Sequence, residues 1–124
     1  MANSAGYHES EDVLRRETKD NHRALTSMME ELEAADWYDQ RVDAATDDAL
    51  REILAHNRDE EKEHFVMLLE WLRRRDAKLD AELRARLFRS DSIVAREAAG
   101  GEGAAAAPKD GSLGIGSLKG RSSL

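Results

Sequence analysis

Two long stretches of helical periodicity, joined by a short connection, restrict this chain more than any other feature in it. In the first, Leu25, Met28, Met29, Leu32 and Ala35 recur at helical spacing, and neither Gly nor Pro interrupts from Ser10 to Trp37. Ser10, followed by Glu11 and Asp12, reads as an N-cap with first-turn acids that complement the helix dipole. Residues 38–45, YDQRVDAA, form the connection, and Thr46, Asp47 and Asp48 offer a second capped start. The second helix is expected to run to about Arg75. Leu79, Leu83 and Leu87 mark a third, shorter helix that stops near Ser90, where Ser-Asp-Ser breaks it and offers a cap for a last turn.

A short connection makes the two long helices antiparallel neighbours. Each is ~40 Å long at a rise of 1.5 Å per residue. Such a hairpin alone leaves much of its apolar stripe in water, and the third helix is too short to cover it. A non-compact fold with fewer than about 100 ordered residues needs partner chains. The expected fold is therefore all-α, a long antiparallel two-helix hairpin plus a short C-terminal helix, dimerising into a four-helix bundle. Composition agrees, since 36% charged and 5% aromatic residues suit a solvated helical protein and not a β-sandwich.

Four segments are expected: a disordered N-terminus at 1–9, a helical domain at 10–98, a flexible linker at 99–109, and a disordered tail at 110–124. From residue 100 the sequence GGEGAAAAPKDGSLGIGSLKGRSSL is rich in Gly, Ala and Ser, with Leu113, Ile115 and Leu118 set among glycines. The net charge of −7 falls on the body of the chain rather than on this tail. An acidic body repels nucleic acid and anionic membrane and attracts cations, so neither nucleic acid nor membrane is an expected partner. The chain has no cysteine, which excludes disulfides and thiolate metal sites. MANSAGYHESEDV lacks an apolar core of signal-peptide length and no 18-residue apolar run occurs, so the expected location is the cytoplasm.

On the wheel of the second helix, with Leu50 at zero, Leu54, Leu68, Trp71 and Leu72 form a stripe centred near ~350°. Glu61 falls at ~20° and His64 at ~320° on the same wheel, in the middle of the stripe rather than with Lys62 at ~120°. A carboxylate on a buried face persists only when paired or bound to a metal. Glu at i and His at i+3 project from adjacent turns, so both can reach one cation. Di-iron carboxylate bundles combine two such Glu-x-x-His pairs with one Glu from each of two further helices. This chain carries one pair and, on its first helix, Glu31 at the stripe's edge beside Ala24 and Ala35. That is half a site, and a two-fold dimer supplies the other half. The motif alone is weak in a chain so rich in Glu, and a simple Glu–His pair is the plain alternative. Hard carboxylates with one imidazole favour iron or manganese, with Ca²⁺ or Zn²⁺ as adventitious occupants.

The strings EELEAADWYDQR and HNRDEEKEH closely resemble the encapsulated ferritins, two-helix ferritin-like ferroxidases packaged inside encapsulin shells. The resemblance covers residues 10–95 or so and extends to the tail, where DGSLGIGSLK (110–119) resembles the peptide that docks cargo on the inner wall of an encapsulin nanocompartment. It implies a ferritin-like bundle whose di-iron ligands are Glu31, Glu61 and His64, with Tyr38 next to the site. It also implies an acidic approach for iron at Glu30 and Glu33 beside Trp37, and a peripheral metal contact at His56, Glu60 and Glu63. The further implications are a ring-like decamer of five dimers, oxidation of Fe²⁺ by O₂ or peroxide, and an iron-storage role as cargo of the shell.

Two other functions fit the residues less well. One is a non-catalytic helical metal-binding cargo protein; the other is a di-iron or di-manganese oxidase of an organic substrate, for which no additional apolar segment is available. Glu30 and Glu33 also read as ordinary solvated acids, Trp37 and Tyr38 as anchors of the inter-helix turn, and His56, Glu60 and Glu63 as a solvated strip.

Overall fold

A computed structural model describes residues 6–97 of the chain. The linker at 99–109 and the shell-docking segment within 110–124 lie outside the described residues, as do the first five residues of the N-terminal segment. The described residues contain no strand. A 3₁₀ turn at Glu11–Val13 precedes three helices: α1 at Arg16–Ala44, α2 at Asp48–Arg73 and α3 at Ala77–Arg86. A further helical turn follows at 93–97. The chain divides into two compact units, one ending at Leu72 and one beginning at Arg73.

The first unit is the hairpin. Ser10 does cap, its Oγ accepting from the Asp12 amide at 3.4 Å, but it caps only the 3₁₀ turn. Leu14 and Arg15 are extended, so α1 begins at Arg16, later than the sequence suggests. The larger difference is at the other end. The segment YDQRVDA, expected to be connection, continues α1 through Ala44. Nothing in it breaks a helix, and the absence of Gly and Pro outweighs the loss of apolar periodicity there. The connection shrinks to residues 45–47. Asp47, rather than Thr46, caps α2, its Oδ2 accepting from the Leu50 amide at 2.9 Å. Arg51 donates from Nε to the Val42 carbonyl at 3.2 Å, meeting the negative end of α1 with a cation.

Contacts across the hairpin step down α1 as they step up α2, from Val42–Arg51 through Asp39–Arg58 to Glu31–His64, which is the antiparallel register. Ala24, Met28 and Ala35 of α1 and Leu72 of α2 are buried. Leu25, Met29 and Leu32 of α1 and Leu50 and Ile53 of α2 stay exposed, Leu32 at 50% and Ile53 at 57%. A single hairpin thus leaves its larger apolar side chains in water, as the length argument requires.

In the second unit, Asp76 caps α3 by accepting from the Leu79 amide at 2.9 Å, and this start ends α2 at Arg73 instead of Arg75. Asp80 takes the guanidinium groups of Arg73 and Arg84, while Glu82 takes Lys78 and Arg86. Ser92 caps the last turn through its Oγ to the Ala95 amide at 3.2 Å. Phe88 sits at φ 61°, a left-handed conformation unusual for a side chain with a Cβ, and the residue is 92% exposed.

Asp47 is the capping group nearest the hairpin turn. Asp47→Ala is expected to lower stability by about 1 kcal/mol, while Asp47→Asn retains most of it. Thermal unfolding followed by helical circular dichroism measures both.

Candidate metal centre

Antiparallel register decides which side chains meet. Glu61 and His64 lie one turn apart on α2, and the hairpin brings Glu31 of α1 level with them. His64 Nδ1 stands 3.4 Å from Glu61 Oε1 and 3.5 Å from Glu31 Oε1. One ligand atom from each of the three residues lies within 4.8 Å of the other two. Among the described residues no other group of three His or carboxylate side chains has such spacing. Donors around one cation at ~2.1 Å stand roughly 3–4 Å apart, so small side-chain rotations close this set on an ion. Two carboxylates and one imidazole suit iron or manganese, and nothing in the set offers sulfur.

The trio is less enclosed than the helical wheel suggests. The side chains of Glu31 and Glu61 are 25% and 21% exposed, and that of His64 is 46% exposed. No polar residue among the described ones is fully buried. The hairpin covers only part of the stripe that Glu61 and His64 interrupt: Leu72 is buried, Leu54, Leu68 and Trp71 are half-buried, and Leu50 and Ile53 are exposed.

Their proximity is felt electrostatically. The hydrogen bond with Glu61 pushes the Glu31 carboxyl above the ordinary carboxylate range, helped by partial desolvation and the Glu61 charge; His64 pulls it back only in part. For His64, partial desolvation favours the neutral ring, but the hydrogen bond to Glu61 and the charges of both carboxylates outweigh it, and the net shift is upward. A cation entering here displaces protons that the site holds more firmly than isolated side chains would, so its affinity falls as pH falls.

The other candidate residues are placed apart from the trio. Tyr38 follows Glu31 by two turns, roughly 10 Å along the helix axis, and its ring lies 5.3 Å from the Arg41 guanidinium carbon. Glu30, Glu33 and Trp37 are exposed on α1. His56 Nε2 and Glu60 Oε2 pair at 3.1 Å on an exposed strip of α2, and Glu63 is exposed on the same helix without completing a three-donor cluster.

Two polar features escape a reading by periodicity. The Tyr7 and His22 rings stand 4.8 Å apart, with His22 Nε2 3.5 Å from Thr26 Oγ1. Arg58 crosses the hairpin to Asp39 at 2.9 Å while also meeting Asp59 on its own helix at 3.1 Å. A search for opposite charges facing each other in antiparallel register is the signal that finds the second.

Comparison with known proteins adds independent observations. The EncFtn-like family model matches residues 6–90. An encapsulated ferritin-like protein of Rhodospirillum rubrum is 60% identical over 126 residues, covering 94% of this chain and 90% of that protein. A ferritin-like protein of Thermotoga maritima is 48% identical over 97 residues, covering 77% of this chain and 85% of its own length. A crystal structure of a Nitrosomonas europaea protein has a TM-score of 0.68 at 57% identity, covering 71% of this chain and 97% of that one.

In the metal-free protein, Glu61→Ala is expected to lower the pKa of His64 and return Glu31 toward the ordinary carboxylate range, because it removes a hydrogen bond and a charge that raise both. Glu60→Ala, which touches His56 instead, leaves His64 unchanged. Titration of the imidazole proton resonances by NMR checks both outcomes.

Proposed function

We propose that this chain, which belongs to the EncFtn-like family, is a ferroxidase that oxidises Fe²⁺ at a di-iron site shared between two copies of itself. The observation that carries the reading is the convergence of Glu31, Glu61 and His64 from two helices. Three donors leave an iron pair short of ligands. Pairing two such faces about a two-fold axis gives four carboxylates and two imidazoles, the donor set of ferritin-like di-iron proteins. The exposed Leu25, Met29, Leu32, Leu50 and Ile53 on the same helices supply apolar surface for that pairing.

In this reading ferrous iron is the substrate. Glu61 and His64 of each copy would hold one ion, together with Glu31 carboxylates that can bridge the two. Each Fe²⁺ gives up one electron; together they reduce O₂ and two protons to H₂O₂, or peroxide and two protons to water, and leave as Fe³⁺. The side chains fix the separation of the ions, leave positions open for the oxidant and stabilise the rising positive charge with carboxylates. Tyr38 belongs near the completed centre, Glu30, Glu33 and Trp37 to the approach of iron, and His56, Glu60 and Glu63 to a peripheral contact that binds cations weakly.

A ring of such dimers, a decamer on the resemblance to encapsulated ferritins, encloses no volume for mineral, so storage falls to an encapsulin shell. The name of the Rhodospirillum rubrum relative, an encapsulated ferritin-like protein, supports that setting. Segment 110–119, outside the described residues, is the proposed attachment: Leu113, Ile115 and Leu118 alternate with small residues and suit apolar pockets. Several copies binding one shell add avidity to such docking. No helix among the described residues is long and apolar enough to cross a membrane.

Replacing Glu31, Glu61 or His64 with Ala is expected to abolish rapid ferrous oxidation followed by stopped-flow absorbance. Wild-type rates in all three variants would refute the site, and an unmutated chain that binds iron without accelerating its oxidation would be a metal-binding cargo protein instead. Deleting 110–124 is expected to leave ferroxidase activity intact and to abolish co-purification with the shell; loading that survives the deletion would refute the docking role.

A further inference from the structure

We propose that Arg58 is a positioning residue for the metal centre: its guanidinium spans the hairpin to Asp39 and fixes the register in which Glu31 faces Glu61 and His64. The inference rests on reading those three residues as the ligand set.

The turn sets the starting register of the hairpin, and Arg58 adds a charged tie between the helices one turn from Glu61. The hairpin's buried residues on α1, Ala24, Met28 and Ala35, are small or flexible side chains. Several of its ion pairs stay within one helix, as in Arg23–Asp20, Arg51–Asp48 and His56–Glu60. Arg51 crosses, but it meets a backbone carbonyl close to the turn. Arg58 crosses with both of its partners defined. Nε meets Asp59 Oδ1 at 3.1 Å on its own helix, which aims the planar group, and Nη1 meets Asp39 Oδ1 at 2.9 Å on the other. Its side chain is 24% exposed, whereas Asp39 and Asp59 are 64% and 62% exposed, so the stem lies along the helices and the fork emerges where the two acids are.

The location suits the task. Arg58 precedes Glu61 by one turn and His64 by two, roughly 5 and 9 Å along the axis. A slip of one residue between the helices would displace Glu31 by roughly 1.5 Å along the axis. A metal fixes both the distances and the directions of its donors, so a shift of that size weakens chelation. A lysine could supply the charge but not the two-pronged geometry.

The test measures Co²⁺ binding to the full chain by calorimetry and by the visible ligand-field spectrum, with helical circular dichroism as a check on folding. Arg58→Gln is expected to weaken Co²⁺ affinity roughly tenfold and to alter the spectrum. Arg58→Lys falls between the variant and the wild type, and keeps the measurement open should Arg58→Gln fold poorly. Arg23→Gln, which removes a within-helix pair, leaves affinity and spectrum unchanged. The sign is decisive, because deleting a cation near a cation site strengthens binding if only the electric field matters. Unchanged or tighter Co²⁺ binding with a wild-type spectrum in Arg58→Gln would overturn the proposal, as would lower thermal stability with no change in affinity. A wild-type chain that binds no Co²⁺ would overturn the ligand set itself, and this inference with it; binding by the wild type and by Arg58→Gln alike would overturn only the role of Arg58.

Discussion

A hairpin of two long helices cannot cover its own apolar stripe, and the rest of the molecule follows from that constraint. Leu25, Met29, Leu32, Leu50 and Ile53 remain in water on α1 and α2, while the residues that do become buried on α1 are small or flexible. The two carboxylates and the imidazole sit on this incomplete surface rather than inside a finished core. Half-exposure suits the proposed pairing of two copies: the three side chains already converge within one chain, on a face that a second chain can cover.

The same surface explains the electrostatics. In a closed core, two carboxylates beside one imidazole would carry a desolvation cost that a metal-free chain could not sustain. At partial exposure, water shares that cost. Closeness within the trio raises both groups for different reasons: Glu61 disfavours the charged form of Glu31, while the two carboxylates favour the charged form of His64 over the opposing desolvation. The three side chains thus stand together in the chain itself, and any cation they bind competes with the protons they hold.

Most of this was legible in the residues, and the misses have physical reasons. Helical phase alone put Glu61 and His64 on the apolar stripe, and the same reasoning brought in Glu31 at the edge of its own stripe, because polar side chains gathered on an apolar face violate the pattern they interrupt. Boundaries were less legible. YDQRVDA lost its apolar rhythm near the turn and read as connection, yet α1 continues to Ala44 because propensity persists where periodicity stops. Ser10 carried a true capping signal for the wrong helix. The Arg58–Asp39 bridge had no signature along the chain, since it depends on register, a property of two helices together. The wheel also treated the stripe as buried, because a wheel records direction and not what stands opposite.

The tight connection at 45–47 has a consequence for how the chain can vary in length. With Asp47 capping α2 and Arg51 tied to the carbonyl of Val42, the turn acts as the zero mark of a ruler laid along both arms. An insertion or deletion within either helix between Glu31 and His64 is read out at the three side chains as a rotation as well as a translation. Beyond those points the arms can lengthen or shorten without touching the chemistry. Tolerance to indels is therefore graded by position along the hairpin: strict on the turn side of the ligands and loose on the far side.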